Sequence, residues 1–239
     1  MPFPRLLFIC LGFFQMCFPG RRTQLTEVWV RPLVRKSVKS NTLQSPDGCD
    51  NLKTGSDDMT DLELIKLAEE AGFHAAVLSA NEIPVDGSFR KFCEDNLCGK
   101  YNANYSCPPG CGTVEEVHRR LFAQDKALVL EMIWDVNGFD DKEFIFSSRN
   151  KLNRTVLQLM DQLRRMGMDG FCLGYGGCPL CDPCKQAEGK PCAFPEKKIS
   201  CMSAYCIDVG KLAKKCELPF AWSNEKMHLF GLIAFHQTV

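Results

Sequence analysis

Four stretches of the chain are predicted to be helical, and three of them begin with a signal for the start of a helix. Thr60 with Glu63, and Thr113 with Glu116, have the Thr-x-x-Glu spacing of a capping box, in which the two side chains satisfy free backbone N–H groups. Asp140 precedes the longest stretch, whose apolar residues recur every three or four positions. The pattern therefore predicts helices over residues 60–71, 113–123, 140–166 and 203–218.

Four short apolar runs follow these helices or lie between them, and they predict strands. The runs cover residues 74–80, 126–134, 169–175 and 227–235. The run at 126–134 is largely apolar, which is typical of a strand buried on both faces. Helices and strands alternate, and this order favours an α/β fold with one four-stranded sheet and two cysteine-rich loops. Right-handed crossovers favour parallel strands, while the long loops also permit antiparallel neighbours.

The first 58 residues follow a different pattern. Residues 6–18 form an apolar stretch of signal-peptide length, but no small-residue cleavage site follows it. Residues 21–58 contain basic residues and then Ser, Asn, Asp and Gly, which is typical of a linker. We predict that residues 59–239 form a cysteine-rich domain and that residues 1–58 are an extension from a misplaced start, with a working export signal as the alternative.

Composition disfavours two classes of function. The 29 basic and 29 acidic residues give a formal net charge of zero, so there is no basic excess to neutralise phosphates, and we expect no nucleic-acid partner. No run of 18 apolar residues occurs, so we expect no stable membrane span. No phosphate-binding loop, dinucleotide fingerprint or catalytic triad motif stands out, so the sequence assigns no catalytic residue and leaves open whether the protein is an enzyme.

The cysteines carry the strongest chemical signal. In the second cysteine loop (residues 176–201), Cys178, Cys181, Cys184 and Cys192 are spaced C-x2-C-x2-C-x7-C. Three thiolates separated by two residues each can turn inward around one small inorganic centre. A C-x2-C-x2-C run also begins the bacterial ferredoxin motif, although there the fourth cysteine follows after three residues instead of seven.

The spacing also bears on which metal is held. A four-cysteine zinc site usually uses two distant pairs, whereas three closely spaced thiolates suit an iron–sulfur cluster of the 4Fe-4S type. We therefore predict a cluster, with zinc as the alternative. The sequence Gly-Tyr-Gly-Gly at 174–177 opens this loop, and its glycines are expected to let the backbone pack tightly against the metal site.

The first cysteine loop (residues 93–112) contains four further candidate ligands. Cys93, Cys98, Cys107 and Cys111 lie within 19 residues, and the Pro-Pro-Gly between the last two predicts a sharp bend that presents two sulfurs together. These four could form a second metal site, complete the first, or be redox-active or buried thiols. Cys201 is the best additional candidate, because a helix is predicted to begin just after it and the N-terminus of a helix lowers the pKa of a nearby thiol.

Three motifs are similar to those of a known family. They are FCEDNLCGKYNANYSCPPGCGT at 92–113, GGCPLCDPCKQAEGKPCAFP at 176–195 and SCMSAYCIDVGKLA at 200–213. Residues 59–239 resemble, in these motifs, the predicted metal-binding proteins called domain of unknown function 2284. The resemblance implies metal binding, with an iron–sulfur cluster favoured and no agreed reaction. It assigns ligand roles to Cys93, Cys98, Cys107, Cys178, Cys181, Cys184 and Cys192, while Cys111 belongs to the CPPGCG version of the motif.

These observations favour a cytoplasmic iron–sulfur protein that transfers electrons or supports the redox chemistry of a partner protein. Its oligomeric state is left open. A zinc-stabilised interaction module without redox activity is the first alternative. A thiol–disulfide oxidoreductase is the second, because Cys178 with Cys181, or Cys181 with Cys184, has the C-x-x-C spacing. A secreted disulfide protein would need the N-terminal segment to act as an export signal.

Overall fold

The computed structural model describes residues 59–138, 140–221, 223 and 225–236. The predicted N-terminal extension, residues 1–58, lies outside the described residues. Five α-helices occur in the described part: α1 (Asp61–Glu70), α2 (Arg90–Glu94), α3 (Val114–Phe122), α4 (Lys142–Arg165) and α5 (Val209–Lys215). Five strands accompany them: β1 (His74–Ser79), β2 (Lys126–Asp135), β3 (Asp169–Gly174), β4 (Ser200–Cys201) and β5 (Lys226–His236).

The strands form one sheet in the order β1-β2-β5-β3-β4. Neighbouring strands are antiparallel except for β3 and β4, which are parallel and pair Gly174 with Cys201. The predicted mixed α/β architecture is therefore confirmed, whereas the predicted count of four strands is one short. The missing strand, β4, has only two residues, too few to produce an alternating pattern in the sequence.

The sheet is covered on both faces, and its strands alternate their side chains between two apolar layers. In β2, Leu128 and Leu130 pack with α1 and α4, while Ala127 and Val129 pack with α3 and α5 on the other face. The prediction that this strand is buried on both faces is confirmed. Strand β5 is buried at every position from Met227 to Phe235. The described part of the chain has no helix that is both long and apolar enough to cross a membrane.

Helix ends follow the predicted signals in the first half of the chain. Thr60 and Thr113 each accept a hydrogen bond from the backbone three residues later, and both capping boxes are formed. The predicted helix over 203–218 is wrong in its first half. Met202–Tyr205 form a 3-10 turn instead, and Cys206 ends that turn with a left-handed φ of 57°. Helix α5 begins later because Asp208 caps it.

Two features of the fold bring the cysteine loops together. The second loop leaves the sheet after β3 and returns at β4, so both of its ends lie at neighbouring strands. The first loop connects α2 to α3, and α2 packs against the 3-10 turn that follows β4. Both loops therefore meet at the edge of the sheet formed by β3 and β4.

Candidate metal centre

The four cysteines of the C-x2-C-x2-C-x7-C motif line one cavity. Cys178, Cys181, Cys184 and Cys192 border a space of about 20 Å³, here called the Cys178 cavity. Roughly 10–15 Å³ is needed to hold one water-sized sphere. Burial raises the pKa of the Cys181 thiol, and negative charge on the other three cysteines raises it further. The other three cysteines of the cavity therefore lie close enough to Cys181 to act on it.

Short-range contacts shape the loop around this cavity. Cys184 precedes a 3-10 turn over Lys185–Glu188, which ends at Gly189 with a left-handed φ of 67°. Tyr105 of the first cysteine loop donates a hydrogen bond from its hydroxyl to the carbonyl of Lys190, at 2.8 Å. The return path of the second loop is therefore tied to the first loop.

A second and larger cavity lies beside the first cysteine loop. Cys93, Cys98, Cys107 and Cys201 border a space of about 60 Å³, here called the Cys201 cavity. Apolar side chains make up most of the remaining wall, and the backbone of Gly176 and Gly177 closes it; those side chains include Phe92, Leu97, Tyr101 and Pro108. The structure therefore groups three of the four predicted ligands of the first loop with Cys201.

Cys111, the fourth predicted ligand of the first loop, lies elsewhere. It is 2 % exposed and packs in the apolar layer that contains α3 and α5. The Arg90 guanidinium points toward it, with 3.9 Å between Nη1 and the Cys111 sulfur. Cys111 borders neither the Cys178 cavity nor the Cys201 cavity.

The thiols of the Cys201 cavity are strongly perturbed. Burial raises the pKa of Cys93 and raises that of Cys107 to about 12. The second-largest effect on the pKa of Cys93 and of Cys107 is negative charge on Cys201, which raises both pKa values further. Because the thiolate and not the thiol is the metal ligand, binding of a metal by these cysteines would release their protons.

Two polar side chains on α4, which the sequence analysis did not single out, hold the start of the second loop. Asn153 donates to the carbonyl of Tyr175 and accepts from its backbone N–H, each at 3.0 Å. Arg149, one turn earlier, lies against Gly176, where an added Cβ would stand 2.7 Å from its Cδ. At Gly174 an added Cβ would stand 2.1 Å from the Asn153 side-chain oxygen. Close packing does occur at Gly174 and Gly176, but its partners are side chains of α4 and not the metal site that the sequence analysis expected.

The two cavities share their walls. Ser106 borders the Cys178 cavity and the next residue, Cys107, borders the Cys201 cavity. In the second loop, Gly177 borders the Cys201 cavity and Cys178 borders the other. Consecutive Cα atoms are about 3.8 Å apart, so the walls of the two cavities adjoin each other at these two places.

The remaining described cysteines lie outside both cavities. Cys172 is buried in β3 and Cys206 in the turn before α5, while Cys216 caps the end of α5. In the described part of the chain, no group of three or more His, Cys, Asp or Glu side chains meets the geometry required to hold a metal ion. The two sets of four cysteines are therefore candidate ligand sets, not assembled coordination spheres.

Comparison with known proteins bears on the family and not on the individual protein. No curated protein and no solved structure matches the chain. A family model described as predicted metal-binding protein (DUF2284) matches residues 76–235, which contain both cysteine loops and both cavities. The chain therefore belongs to the DUF2284 family, whose members are predicted to bind metal.

Proposed function

We propose that the protein binds an iron–sulfur cluster of the 4Fe-4S type through Cys178, Cys181, Cys184 and Cys192, and that it carries electrons in the cytoplasm. The observation that carries the proposal is that these four cysteines border one cavity. Their spacing and the family's predicted metal binding support it as well. The twelve described cysteines all stand as thiols, which suits a reducing compartment.

The donor set fits a thiolate-bound centre. Among the described residues, no His or carboxylate borders the Cys178 cavity, so sulfur is its metal-binding atom type. Lys198 borders the cavity, and the charge of Lys185 lowers the pKa of Cys181 against the larger effect of burial. These cations offset the negative charge that four thiolates bring together. A bound iron–sulfur cluster would supply one-electron redox chemistry.

The position of the cavity suits electron exchange with a partner protein. Phe194 borders it and is 44 % exposed, and Leu180 lies on the same wall. A redox protein that docks here approaches the sulfurs closely. In the proposed role one electron arrives from a reduced partner protein and leaves to an oxidised one, and no bond to the chain is made or broken.

A zinc-stabilised interaction module is the second candidate. The Cys178 cavity is only slightly larger than one water-sized sphere, and four cysteines are a common ligand set for a single tetrahedral zinc ion. A thiol–disulfide oxidoreductase is less favoured, because such enzymes lower the pKa of the attacking cysteine and here burial raises the pKa of Cys181.

Metal content and colour separate the candidates. The full 239-residue chain, purified without oxygen, should contain iron and sulfide in similar amounts and show broad visible absorption that dithionite bleaches. Cys181→Ala should lose the iron of this site, while Cys216→Ala, which changes a cysteine outside both cavities, should keep it. Stoichiometric zinc without colour would support the interaction module, and full iron in Cys181→Ala would overturn the ligand assignment.

A further inference from the structure

We propose that Cys93, Cys98, Cys107 and Cys201 hold a second iron–sulfur centre in the Cys201 cavity, and that Cys201 rather than Cys111 is its fourth ligand. This centre is separate from the one at the Cys178 cavity, and either assignment can fail without the other. The four sulfurs come from α2, from two points in the first loop, and from β4, so only the folded chain brings them together.

The fold explains why Cys201 reaches this cavity. Strand β4 is parallel to β3, and their register places Cys201 opposite Gly174 at the point where the second loop begins. The next residues of that loop, Gly176 and Gly177, form the cavity wall beside Cys201. The cavity therefore brings together cysteines from α2, from the first loop and from β4.

Cys111 is held in another direction. Its backbone N–H donates to the carbonyl of Cys107 at 3.0 Å, which closes the Pro-Pro-Gly bend. Its sulfur faces the Arg90 guanidinium and the carbonyl of Gly112, at 3.9 and 3.8 Å. The bend therefore places Cys107 in the cavity and leaves Cys111 in the apolar core.

Buried positive charge is available for a negatively charged centre. Arg90 is 8 % exposed and donates to the carbonyls of Gly112 and Ala204, but its Nε has no hydrogen-bond partner among the described residues. The Nε of Arg149 is also buried and lacks a partner within the same part of the chain, and the guanidinium lies within electrostatic range of Cys107 and Cys201.

Desolvation makes an isolated buried charge unfavourable, so buried cations are normally matched by negative groups. Of the two, Arg149 is the better placed, because Cys107 and Cys201 both act on it, whereas Arg90 faces Cys111 and the carbonyls of Gly112 and Ala204. Four thiolates around iron and sulfide carry net negative charge, and the Arg149 guanidinium lies within electrostatic range of two of them. The Cys201 cavity, at about 60 Å³, is also the larger of the two cysteine-lined cavities, the other being about 20 Å³.

The decisive experiment compares two alanine variants of the full chain, purified without oxygen: Cys201→Ala and Cys111→Ala. Iron, sulfide and zinc are measured together with the visible spectrum and the electron paramagnetic resonance of the dithionite-reduced protein. We expect Cys201→Ala to lose about half of the wild-type iron and sulfide, because one of two similar clusters is lost. Cys111→Ala should keep all of it.

Two further variants keep the result interpretable. Cys98→Ala should also lose about half of the iron, so it tests the same centre should Cys201→Ala fail to fold. Cys181→Ala should remove the other half of the iron. Magnetic coupling between two neighbouring reduced centres should broaden the wild-type resonance and disappear in each single-site variant. Full iron in both Cys201→Ala and Cys98→Ala, or a loss in Cys111→Ala equal to that in Cys201→Ala, would overturn the proposal. Loss of iron in Cys181→Ala but in none of the other variants would support a centre at the Cys178 cavity and exclude one at the Cys201 cavity.

Discussion

Asn153→Ala removes the side chain that ties the start of the second cysteine loop to α4. Asn153 is fully buried, and its two hydrogen bonds of 3.0 Å satisfy both the N–H and the carbonyl of Tyr175. A buried backbone group left without a partner costs about 1–3 kcal/mol. Tyr175 is only partly buried and water can replace part of each bond, so the two groups together imply a loss of about 1–3 kcal/mol in the free energy of unfolding, out of the roughly 5–15 kcal/mol of an ordinary domain.

Urea unfolding followed by far-ultraviolet circular dichroism measures this loss. Gln158→Ala is the matched control, because Gln158 is exposed on the same helix and its replacement should change stability by less than about 0.5 kcal/mol. Iron content should also fall in Asn153→Ala, since the amide group lies 3.4 Å from the carbonyl of Gly177, which borders the Cys201 cavity and directly precedes Cys178. If Asn153→Ala matched the control in stability and iron, the two hydrogen bonds would not be holding the loop.

Three other predictions concern the sheet and the loops. Gly170→Ala should destabilise the fold by about 1–3 kcal/mol or more in urea unfolding, because its Cβ would stand 2.1 Å from the Ala234 carbonyl oxygen; wild-type stability would contradict the pairing of β3 with β5. Burial raises the pKa of the Glu131 carboxyl in the folded protein despite the opposing hydrogen bond from His228. The protonated carboxyl therefore contributes fully to stability below the pKa that Glu131 has in the unfolded chain, and this contribution is lost as the pH rises through its pKa in the folded protein. Glu131→Gln should therefore be more stable than wild type at pH 8 and gain less at pH 5, whereas a gain that is equal at both pH values would refute this. Chelation of the metal should speed hydrogen exchange in the two cysteine loops and leave the central strands protected; uniform loss of protection would show that the metal supports the whole fold.

Local spacing and non-local pairing explain which parts of the site could be predicted from the sequence. Cys178, Cys181 and Cys184 are close in the chain, so their spacing alone predicts that they can face one centre, and they do border one cavity. Cys201 reaches the other cavity through the pairing of β4 with β3, a contact between residues 27 positions apart for which the sequence carries no periodic signal. Cys111 has a ligand-like spacing from Cys107, but the direction of its side chain is decided by the bend and by Arg90.

The same distinction applies to the helices. Capping boxes and glycine stops are local signals, and α1 and α3 begin where their threonines predict. The left-handed backbone of Cys206 splits the predicted fourth helix, and a non-glycine residue in that region has no signature in the sequence. Helix α2 is only five residues long, too short for a periodic apolar face to appear.

The sheet and the two cysteine loops differ in what stabilises them. Strands β2 and β5 contribute to both apolar layers, whereas no residue of 93–110 or 179–198 belongs to either layer. These loop segments therefore gain little from apolar burial, and their shape depends on hydrogen bonds such as those of Asn153 and Tyr105 and on whatever the cysteines bind. The sheet and α4 supply a scaffold that is stable by apolar burial, and α4 places the Asn153 amide and the Arg149 guanidinium against the start of the second loop. A metal centre at that edge would offset the charge of Arg149 and order the loops at the same time, which is why both the chelation experiment and the Cys201→Ala experiment should report on the same region of the molecule.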